Sequence, residues 1–160
     1  MSTPTNQELI DFVYREARLI DQQRFDEWLG LFAEDARYWM PLEWEQTDPT
    51  LVGSLLYEDK MLLGIRVERL KGRRTYSQKP KSRCHHVLQA PQIESRDEAA
   101  NCYVLWTPQH YVETRVDEQT LYASWATHTL AVEDGALKIK LKRVDLVNCD
   151  AAFGNIQLFM

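Results

Sequence analysis

The spacing of apolar residues changes from a helical period to a strand period along the chain, and this change constrains the fold more than any other feature. Apolar side chains at offsets 0, 3, 4, 8 and 11 form one helical stripe, at Leu9, Phe12, Val13, Ala17 and Ile20. Segments rich in Val, Tyr, Trp, Thr and Leu predict strands at 83–94, 100–115, 121–132 and 136–148. Helices followed by strands predict an α+β fold, with the helices covering one face of a curved antiparallel sheet.

The first half of the chain carries further local signals. They predict a second helix over 25–32, a short strand over 37–41 that ends at a proline, and a third helix over 59–71. Thr5 or Asn6 can cap the start of the first helix. Residues 47–50 form a turn or loop, because they combine Thr, Asp and Pro.

The last predicted strand follows the strongest hairpin signal in the chain, the pair Asp134-Gly135. Apolar residues alternate with Lys138, Lys140 and Lys142, which predicts one buried face and one solvent face that carries the lysines. The apolar phase then shifts toward Val144. We therefore expect a β-bulge near Arg143.

Length and composition predict one globular domain over 1–160. The chain has 160 residues, of which 44% are hydrophobic, and a domain of this size can bury about 70% of its surface. No segment is apolar enough to predict a transmembrane helix, and the start of the sequence does not predict a secretory signal. The cysteines number 3, an odd count without a disulfide spacing, so we expect a cytoplasmic protein.

The charge distribution does not favour nucleic acid binding. Residues 66–83 hold eight bases and one acid, but only Tyr76 offers a stacking ring there, and the net charge of the chain is -5. Binding driven by counterion release requires a broad basic face. We interpret the basic stretch as a solvated loop or as a surface that contacts an acidic patch of another subunit.

One group of residues imitates the ligands of a Rieske [2Fe–2S] centre. Such a centre uses two cysteines and two histidines on neighbouring loops, and Cys84, His86 and Cys102 match three of them. The fourth ligand is missing, because Leu105 stands where the second histidine belongs. We therefore predict that this chain holds no cluster.

The histidines are the candidates for acid–base chemistry. His85 and His86 are adjacent on a predicted strand, so their side chains point to opposite faces. If the hairpin between the predicted strands 100–115 and 121–132 turns near residue 119, His110 and His128 lie opposite each other on paired strands. No third ligand for a metal is evident beside them, and two ordinary histidines on the sheet remain the simpler interpretation. The three cysteines lack an identified base, which favours buried apolar roles.

The carboxyl-terminal residues and one tryptophan are candidates for contacts with the rest of the domain or with another chain. Leu158, Phe159 and Met160 are large and apolar, so they must be buried in their own domain or against another chain. Both alternatives stay open at this point. Trp44 lies in a polar stretch without a core pattern and is a candidate interface anchor.

The order of short motifs resembles the small (β) subunit of aromatic-ring-hydroxylating dioxygenases over nearly the whole chain. The matching motifs are FVYREARLID at 12–21, FDEWL at 25–29, FAEDA at 32–36, YWMP at 38–41, LYED at 56–59, RVER at 66–69, YSQ at 76–78, SR at 82–83 followed by His86, NCDA at 148–151 and NIQLF at 155–159. One departure is the pair Cys84-His85, where many relatives carry a Thr-Arg-like pair.

This resemblance implies a cone-shaped α+β fold like those of nuclear transport factor 2 (NTF2) and ketosteroid isomerase, a fold that is also called cystatin-like. It implies a non-catalytic, structural chain that forms a trimer and joins a large (α) subunit, often as an α3β3 hexamer. The large subunit would carry a Rieske [2Fe–2S] cluster and mononuclear Fe(II), fed from NAD(P)H through a reductase, while this chain would hold no cofactor or metal. The resemblance gives the charged and apolar surfaces a partner, and the subunit-interface candidates are Trp44, Arg69, Arg73, Arg83, His86, Leu158, Phe159 and Met160.

A second hypothesis is a free-standing acid–base enzyme on the same cone, because one fold hosts many functions. Such a dehydratase, isomerase or cyclase would use a pocket histidine with a carboxylate as the base, and the candidates are His86, His110 and His128. A third and weaker hypothesis is a ligand-binding or scaffold domain without a catalytic role.

Overall fold

The computed structural model describes residues 2–50, 53–72, 82–149 and 156–160. Its elements in chain order are α1 (Asn6–Asp21), α2 (Phe25–Leu29), β1 (Phe32–Pro41), β2 (Ser54–Asp59), α3 (Lys60–Lys71), β3 (Arg83–Leu88), β4 (Gln92–Asp97), β5 (Cys102–Arg115), β6 (Glu118–Glu133) and β7 (Ala136–Leu146). The α+β prediction is confirmed. Helices dominate the first part of the chain, and the strands after Arg83 follow one another as expected.

Helix α1 begins with a capping box at Thr5, one of the two predicted caps. The Thr5 hydroxyl accepts a hydrogen bond from the Glu8 backbone N–H at 3.1 Å, and the Glu8 carboxylate accepts from the Thr5 backbone N–H at 2.7 Å. All five residues of the predicted apolar stripe are buried. The same face also buries Glu16, a charged residue that the apolar stripe did not predict.

The region after α2 differs from the prediction. The second helix ends at Leu29 rather than at Phe32, and Phe32 already pairs with Ile139 of β7. Pairing with the sheet therefore outweighs the local helical period of the apolar residues. Strand β2 was not predicted, because it is a short edge strand that pairs only with β1 in the described sheet.

The strands form one sheet in the order β2-β1-β7-β6-β5-β3, with β4 also paired to β5. Strands β1 and β7 are parallel, and the other described pairs are antiparallel. The predicted strand 83–94 is two strands, since β3 and β4 occupy successive halves of the same edge of β5. Pro108 lies at the gap between those halves, where its missing N–H interrupts no ladder.

Both long hairpins close with two-residue turns. Asp134 and Gly135 have φ values of 51° and 77°, which confirms the predicted Asp-Gly hairpin between β6 and β7. The β5–β6 turn consists of residues 116–117, earlier in the chain than residue 119. The predicted pairing of His110 with His128 is therefore wrong. His110 pairs with Ala123, and His128 pairs with Leu105.

A bulge in β7 lies earlier than predicted and changes which lysine is buried. Thr129 pairs with Leu141 while Leu130 pairs with Ile139, so Lys140 is the extra residue. After the bulge the alternation reverses, and Lys142 points into the core with 1% exposure. The prediction that Lys142 lies on the solvent face is wrong for this reason.

The helices cover the inner face of the sheet and enclose the core. Helix α1 packs against β3, β4 and β5, while α3 packs against β1 and β2. The core also contains the carboxyl-terminal Leu158, Phe159 and Met160, which are 2%, 0% and 0% exposed. Of the two alternatives for these residues, the structure shows burial in their own domain. Within the described ranges, no helix combines the length and apolarity needed to cross a bilayer.

Candidate functional site

A buried carboxylate lies at the centre of the enclosed interior. Glu16 of α1 accepts hydrogen bonds from the Trp28 indole N–H at 2.6 Å, from His128 Nε2 at 2.9 Å and from Lys142 Nζ at 2.9 Å. The donors come from α2, β6 and β7, so three elements converge on one helix side chain. Each of these four residues is at most 2% exposed. We call this set the Glu16 network.

The charges of the Glu16 network balance each other. Burial alone would raise the pKa of Glu16, but the Lys142 ammonium and the hydrogen bond from His128 hold that pKa well below its usual range. Burial lowers the pKa of His128, against the attraction of Glu16. Glu16 is therefore an anion, Lys142 a cation and His128 a neutral ring, and the network carries no net charge.

This arrangement suits a structural role better than catalysis. A general acid or base must reach a substrate atom, directly or through one water. The Glu16 carboxylate is engaged by three donors, and His128 is 1% exposed. A buried ion pair of this kind fixes the packing of α1 on the sheet, because removing either partner leaves an uncompensated charge.

Two signals in the sequence could have revealed the network. Glu16 lies seven residues after Leu9 and therefore falls on the apolar stripe of α1. Lys142 lies two residues before Val144 and shares the phase that follows the bulge. A charged residue in the middle of a buried phase predicts a buried partner of opposite charge.

A second carboxylate–imidazole pair lies where α1 ends. Asp21 Oδ1 is 2.6 Å from His86 Nδ1, and Asp21 Oδ2 accepts from the His86 backbone N–H at 3.0 Å. Cys84 Sγ lies 3.6 Å from Asp21 Oδ1. Burial raises the pKa of the Cys84 thiol, and the charges of Asp21 and Glu113 raise it further. Cys84 is thus a protonated thiol rather than a nucleophile.

The other two cysteines differ in burial, and the two adjacent histidines point apart. Cys149 is buried as expected, whereas Cys102 is half-buried. His85 is exposed and His86 is buried, which confirms that the two side chains point to opposite faces of β3.

The structure separates the residues that imitate a Rieske centre. Cys84 of β3 pairs with Glu113 near the end of β5, whereas Cys102 begins β5 eleven residues earlier. That separation corresponds to about 36 Å of extended strand, far beyond the size of a cluster. These ligands therefore cannot share one iron–sulfur centre.

The carboxyl-terminal segment is held by one side chain of β1 and one of β5. The Tyr38 hydroxyl donates to the Met160 main-chain oxygen at 3.2 Å and accepts from the Met160 backbone N–H at 3.1 Å. Glu113 accepts hydrogen bonds from the backbone N–H of Gln157 at 3.0 Å and of Leu158 at 2.8 Å, and from the Tyr111 hydroxyl at 2.7 Å. Burial is the main cause that raises the pKa of Tyr111, so its hydroxyl remains a donor. Glu113 thereby directs the segment into the core.

Phe159 fills an aromatic enclosure in the interior. Its ring stacks on Trp28 with centroids 4.1 Å apart and meets Phe25 and Tyr38 edge-on at 5.9 Å and 6.3 Å. The Arg66 guanidinium lies 4.8 Å from the ring centroid. The chain's own tail therefore occupies the space beside the Glu16 network.

The outer face of the sheet, which points away from the helices, exposes apolar side chains. Trp44 is 56% exposed, donates its indole N–H to the Leu146 carbonyl at 3.0 Å and meets Trp125 edge-on at 6.0 Å. Beside Trp125 runs a groove of about 270 Å³, which we call the outer groove, lined by residues that include Val87, Pro108, His110, Trp125 and Val147. Apolar surface of this kind marks contacts with other molecules.

The remaining predicted site residues lie apart from one another. Arg69 on α3 and Arg83 on β3 are exposed, whereas Arg73 lies outside the described residues. His86 and the tail residues Leu158, Phe159 and Met160 are interior, which leaves their side chains without surface for a partner. Of the histidines proposed for acid–base chemistry, His86 and His128 are interior and His110 lies on the outer face. The structure does not bring the three together.

Comparisons with known proteins agree on one family. The family model described as ring hydroxylating beta subunit matches residues 15–151. The 2-halobenzoate 1,2-dioxygenase small subunit of Burkholderia cepacia is 30% identical over 148 residues, which cover 88% of this chain and 87% of the relative.

Solved structures support the same assignment. The beta subunit of the benzoate 1,2-dioxygenase from Burkholderia mallei superposes with a TM-score of 0.75 at 29% identity, covering 92% of this chain and 94% of that one. An NTF2-like protein with a cystatin-like fold from Novosphingobium aromaticivorans gives a TM-score of 0.63 at 12% identity, covering 89% of this chain and 81% of that one. The second likeness shows the fold alone and confirms the predicted NTF2-like architecture. The chain therefore belongs to the family of ring-hydroxylating beta subunits.

Proposed function

We propose that this chain is the non-catalytic, structural small subunit of a multicomponent dioxygenase that hydroxylates an aromatic ring. The observation that carries the proposal is the family match over residues 15–151. The 2-halobenzoate and benzoate dioxygenase subunits among its relatives point to the cis-dihydroxylation of an aromatic compound during its catabolism. The chain takes part in oxidoreductase chemistry as a component of the complex.

The enclosed interior supports a structural role. The Glu16 network is charge-balanced and closed, and Phe159 occupies the adjacent aromatic enclosure. A free-standing dehydratase, isomerase or cyclase would need an imidazole beside an accessible cavity. His128 is 1% exposed and His86 is 8% exposed, so neither meets this requirement in the structure. His110 lines the outer groove, but no carboxylate is among the described residues that line that groove with it.

The partner would be a large subunit that supplies the redox centres. We propose that it carries a Rieske [2Fe–2S] cluster and mononuclear Fe(II), with electrons from NAD(P)H delivered by a reductase in the cytoplasm. Three small and three large subunits would form the complex. The separation of Cys84 from Cys102 supports placing the iron on the partner rather than on this chain.

The outer face and the rim of the fold would provide the docking residues. Trp44 is an exposed aromatic beside the outer groove, and buried aromatic anchors dominate the energy of protein interfaces. Arg69 and Arg83 are exposed, and with Arg73 they would contact acidic groups of a neighbouring subunit. These contacts would hold the large subunits in register.

The experiment is native mass spectrometry of the tagged full-length chain purified from its own host, with iron quantified. The proposal expects a complex with a much larger chain, in which iron follows that chain. A homo-oligomer without iron, active by itself on a small substrate and inactivated by one His→Ala change, would overturn the proposal in favour of the acid–base enzyme. A monomer that retains a small molecule would favour a ligand-binding domain instead.

A further inference from the structure

Three different donor side chains converge where α1 meets β3. One ligand atom each from Asp21, Cys84 and His86 lies within 4.8 Å of the other two. Cys84 and His86 are two residues apart on β3 and share its buried face, while Asp21 ends α1. None of these three residues belongs to the Glu16 network or lines the outer groove, and the proposed function does not use them.

The backbone holds this cluster in place before any ligand arrives. The His86 backbone N–H donates to Asp21, and the Gln23 side chain donates to the Ser82 carbonyl at 3.4 Å. Both bonds tie the end of α1 to β3, so the donors sit on fixed elements. Sites carried by helices and strands are held more accurately than sites on loops.

Two of the three ligand–ligand distances lie within about 1 Å of those in a tetrahedral metal site, and the third, between Cys84 and His86, is within 4.8 Å. Zinc binds sulfur at about 2.3 Å and nitrogen or oxygen at about 2.0–2.2 Å, which places neighbouring ligand atoms about 3.3–3.6 Å apart. Cys84 Sγ and Asp21 Oδ1 are 3.6 Å apart. The 2.6 Å hydrogen bond between Asp21 and His86 must lengthen by about 0.7 Å, a change that a side-chain rotation provides.

The electrostatic environment favours a cation. Two carboxylates lie close to the sulfur: Asp21 Oδ1 is 3.6 Å from Cys84 Sγ, and Glu113 is the cross-strand partner of Cys84 on β5. In the described part of the chain, no lysine or arginine forms an ion pair with Asp21. The Asp21 side chain is 22% exposed and connects the cluster to solvent.

The His86 ring meets the cluster through Nδ1, and no described residue engages its other nitrogen. Its side chain is 1% exposed, and its Nε2 has no hydrogen-bond partner among the described residues. A neutral imidazole that binds a metal through Nδ1 must carry its proton on Nε2. Because Nε2 is unengaged, the ring can change tautomer without breaking another hydrogen bond of its own.

We propose that Asp21, Cys84 and His86 form a binding site for one zinc ion. The ion forms a bond to Cys84 Sγ as the thiol proton leaves to solvent, while His86 keeps its single proton on Nε2. One carboxylate and one thiolate neutralise the charge of the ion, and water completes the fourth position. The ion links the end of α1 to β3, and its donor set of sulfur, nitrogen and oxygen suits zinc better than magnesium or calcium.

The test is titration of the metal-free, full-length chain with ZnCl2 and with CoCl2, followed by desalting and metal analysis. We expect one ion per chain, a thiolate-to-cobalt charge-transfer band, and an affinity that falls about tenfold per pH unit as the solution is acidified. Cys84→Ser should abolish the band and most of the retained zinc. His86→Gln should weaken metal binding, but any cobalt that still binds should keep its thiolate charge-transfer band.

Cys102→Ser is the matched control, because Cys102 is half-buried and distant from the cluster. It should leave the stoichiometry and the band unchanged. No retained metal in the unsubstituted chain would overturn the proposal. A band that survives Cys84→Ser, or that disappears in Cys102→Ser, would show adventitious thiol binding and would equally overturn it. Cys84→Ser is a small change at a buried thiol, so a folded variant is expected, and circular dichroism checks this.

Discussion

Helix α1 presents two carboxylates to two histidines, and the two pairs differ in what surrounds them. Glu16 meets His128 together with a lysine and an indole N–H, and the group is closed to solvent. Asp21, five residues later, meets His86 and a thiol, and its carboxylate is partly exposed. A carboxylate–imidazole pair therefore does not by itself indicate catalysis. The counter-charge and the access to solvent decide what the pair can do.

The largest expected effect comes from removing the counter-charge of the closed pair. Lys142→Ala leaves the Glu16 carboxylate buried without its cation, which should cost about 3–5 kcal/mol of unfolding free energy. Lys140→Ala is the control, because Lys140 lies on the same strand and pairs with Asp35 and Glu133 at the surface. That change should cost about 1 kcal/mol or less. Urea unfolding of both variants measures the difference, and equal losses would contradict a closed network.

A similar loss is expected from emptying the aromatic enclosure. Phe159→Ala removes the ring that stacks on Trp28 and should cost about 3–5 kcal/mol. Met61→Ala, at a position that is 68% exposed, should change stability by less than about 0.5 kcal/mol. Thermal unfolding of the two variants at matched concentration tests this. A tail that contributes only to subunit contacts would leave the isolated Phe159→Ala chain as stable as the unsubstituted one.

The pH dependence of stability tests the Glu16–His128 pair. The pKa of His128 and that of Glu16 are both lower in the folded chain than their ordinary values of 6.5 and 4.5. A depressed pKa contributes stability that is present above the unfolded value and is lost as the pH falls. Unfolding free energy should therefore decline as pH drops below about 6.5, and decline further below about 4.5. His128→Gln should remove the upper part of this decline, and an unchanged profile would contradict the assignment.

A smaller effect is expected at the Asp21–His86 pair, which is partly open to solvent. Asp21→Asn keeps an acceptor for the His86 backbone N–H but weakens the short bond to the ring, which should cost about 1–2 kcal/mol. Glu16→Gln should cost more than this, because it leaves the Lys142 charge buried. Urea unfolding of both variants measures which pair contributes more to the free energy of unfolding. A larger loss of unfolding free energy in Asp21→Asn would contradict the claim that the enclosed Glu16–His128 pair contributes more to stability than the Asp21–His86 pair.

The smallest effect on the isolated chain is expected at Trp44, where the effect on assembly should be large. Trp44→Ala removes an exposed ring and should cost about 1 kcal/mol or less of unfolding free energy. At a buried interface anchor the same change weakens binding by about 2 kcal/mol or more. Native mass spectrometry of the co-expressed subunits measures this, with the exposed Tyr14→Ala as control. Equal assembly of both variants would exclude Trp44 as an anchor.

The sequence predicted the parts of the fold that local chemistry determines. The stripe of α1, the Thr5 cap and the Asp134-Gly135 turn depend on neighbours in the chain, and all are present. The end of α2 and strand β2 depend on pairing with distant strands, which local periodicity does not report. The family resemblance, carried by the order of motifs, is confirmed by the family match.

The composition of the interior could be predicted only in part, because the register of the strands determines which side chains are buried. Lys140 is the extra residue of a β-bulge, and it places Lys142 in the core rather than on the solvent face. An earlier turn between β5 and β6 separated His110 from His128 and left the latter to Glu16. Such shifts carry little local signal, since a change of one residue reverses every side chain of a strand.

The most direct test of a structural, non-catalytic role is turnover per iron in the assembled complex with His128→Gln or His86→Gln in this chain. Both histidines lie in the interior pairs. We predict a lower unfolding temperature for each variant, with turnover per iron within about twofold of the unsubstituted complex. A loss of about 100-fold or more, with assembly and iron content intact, would show that one of these histidines acts as an acid or base and would contradict the account.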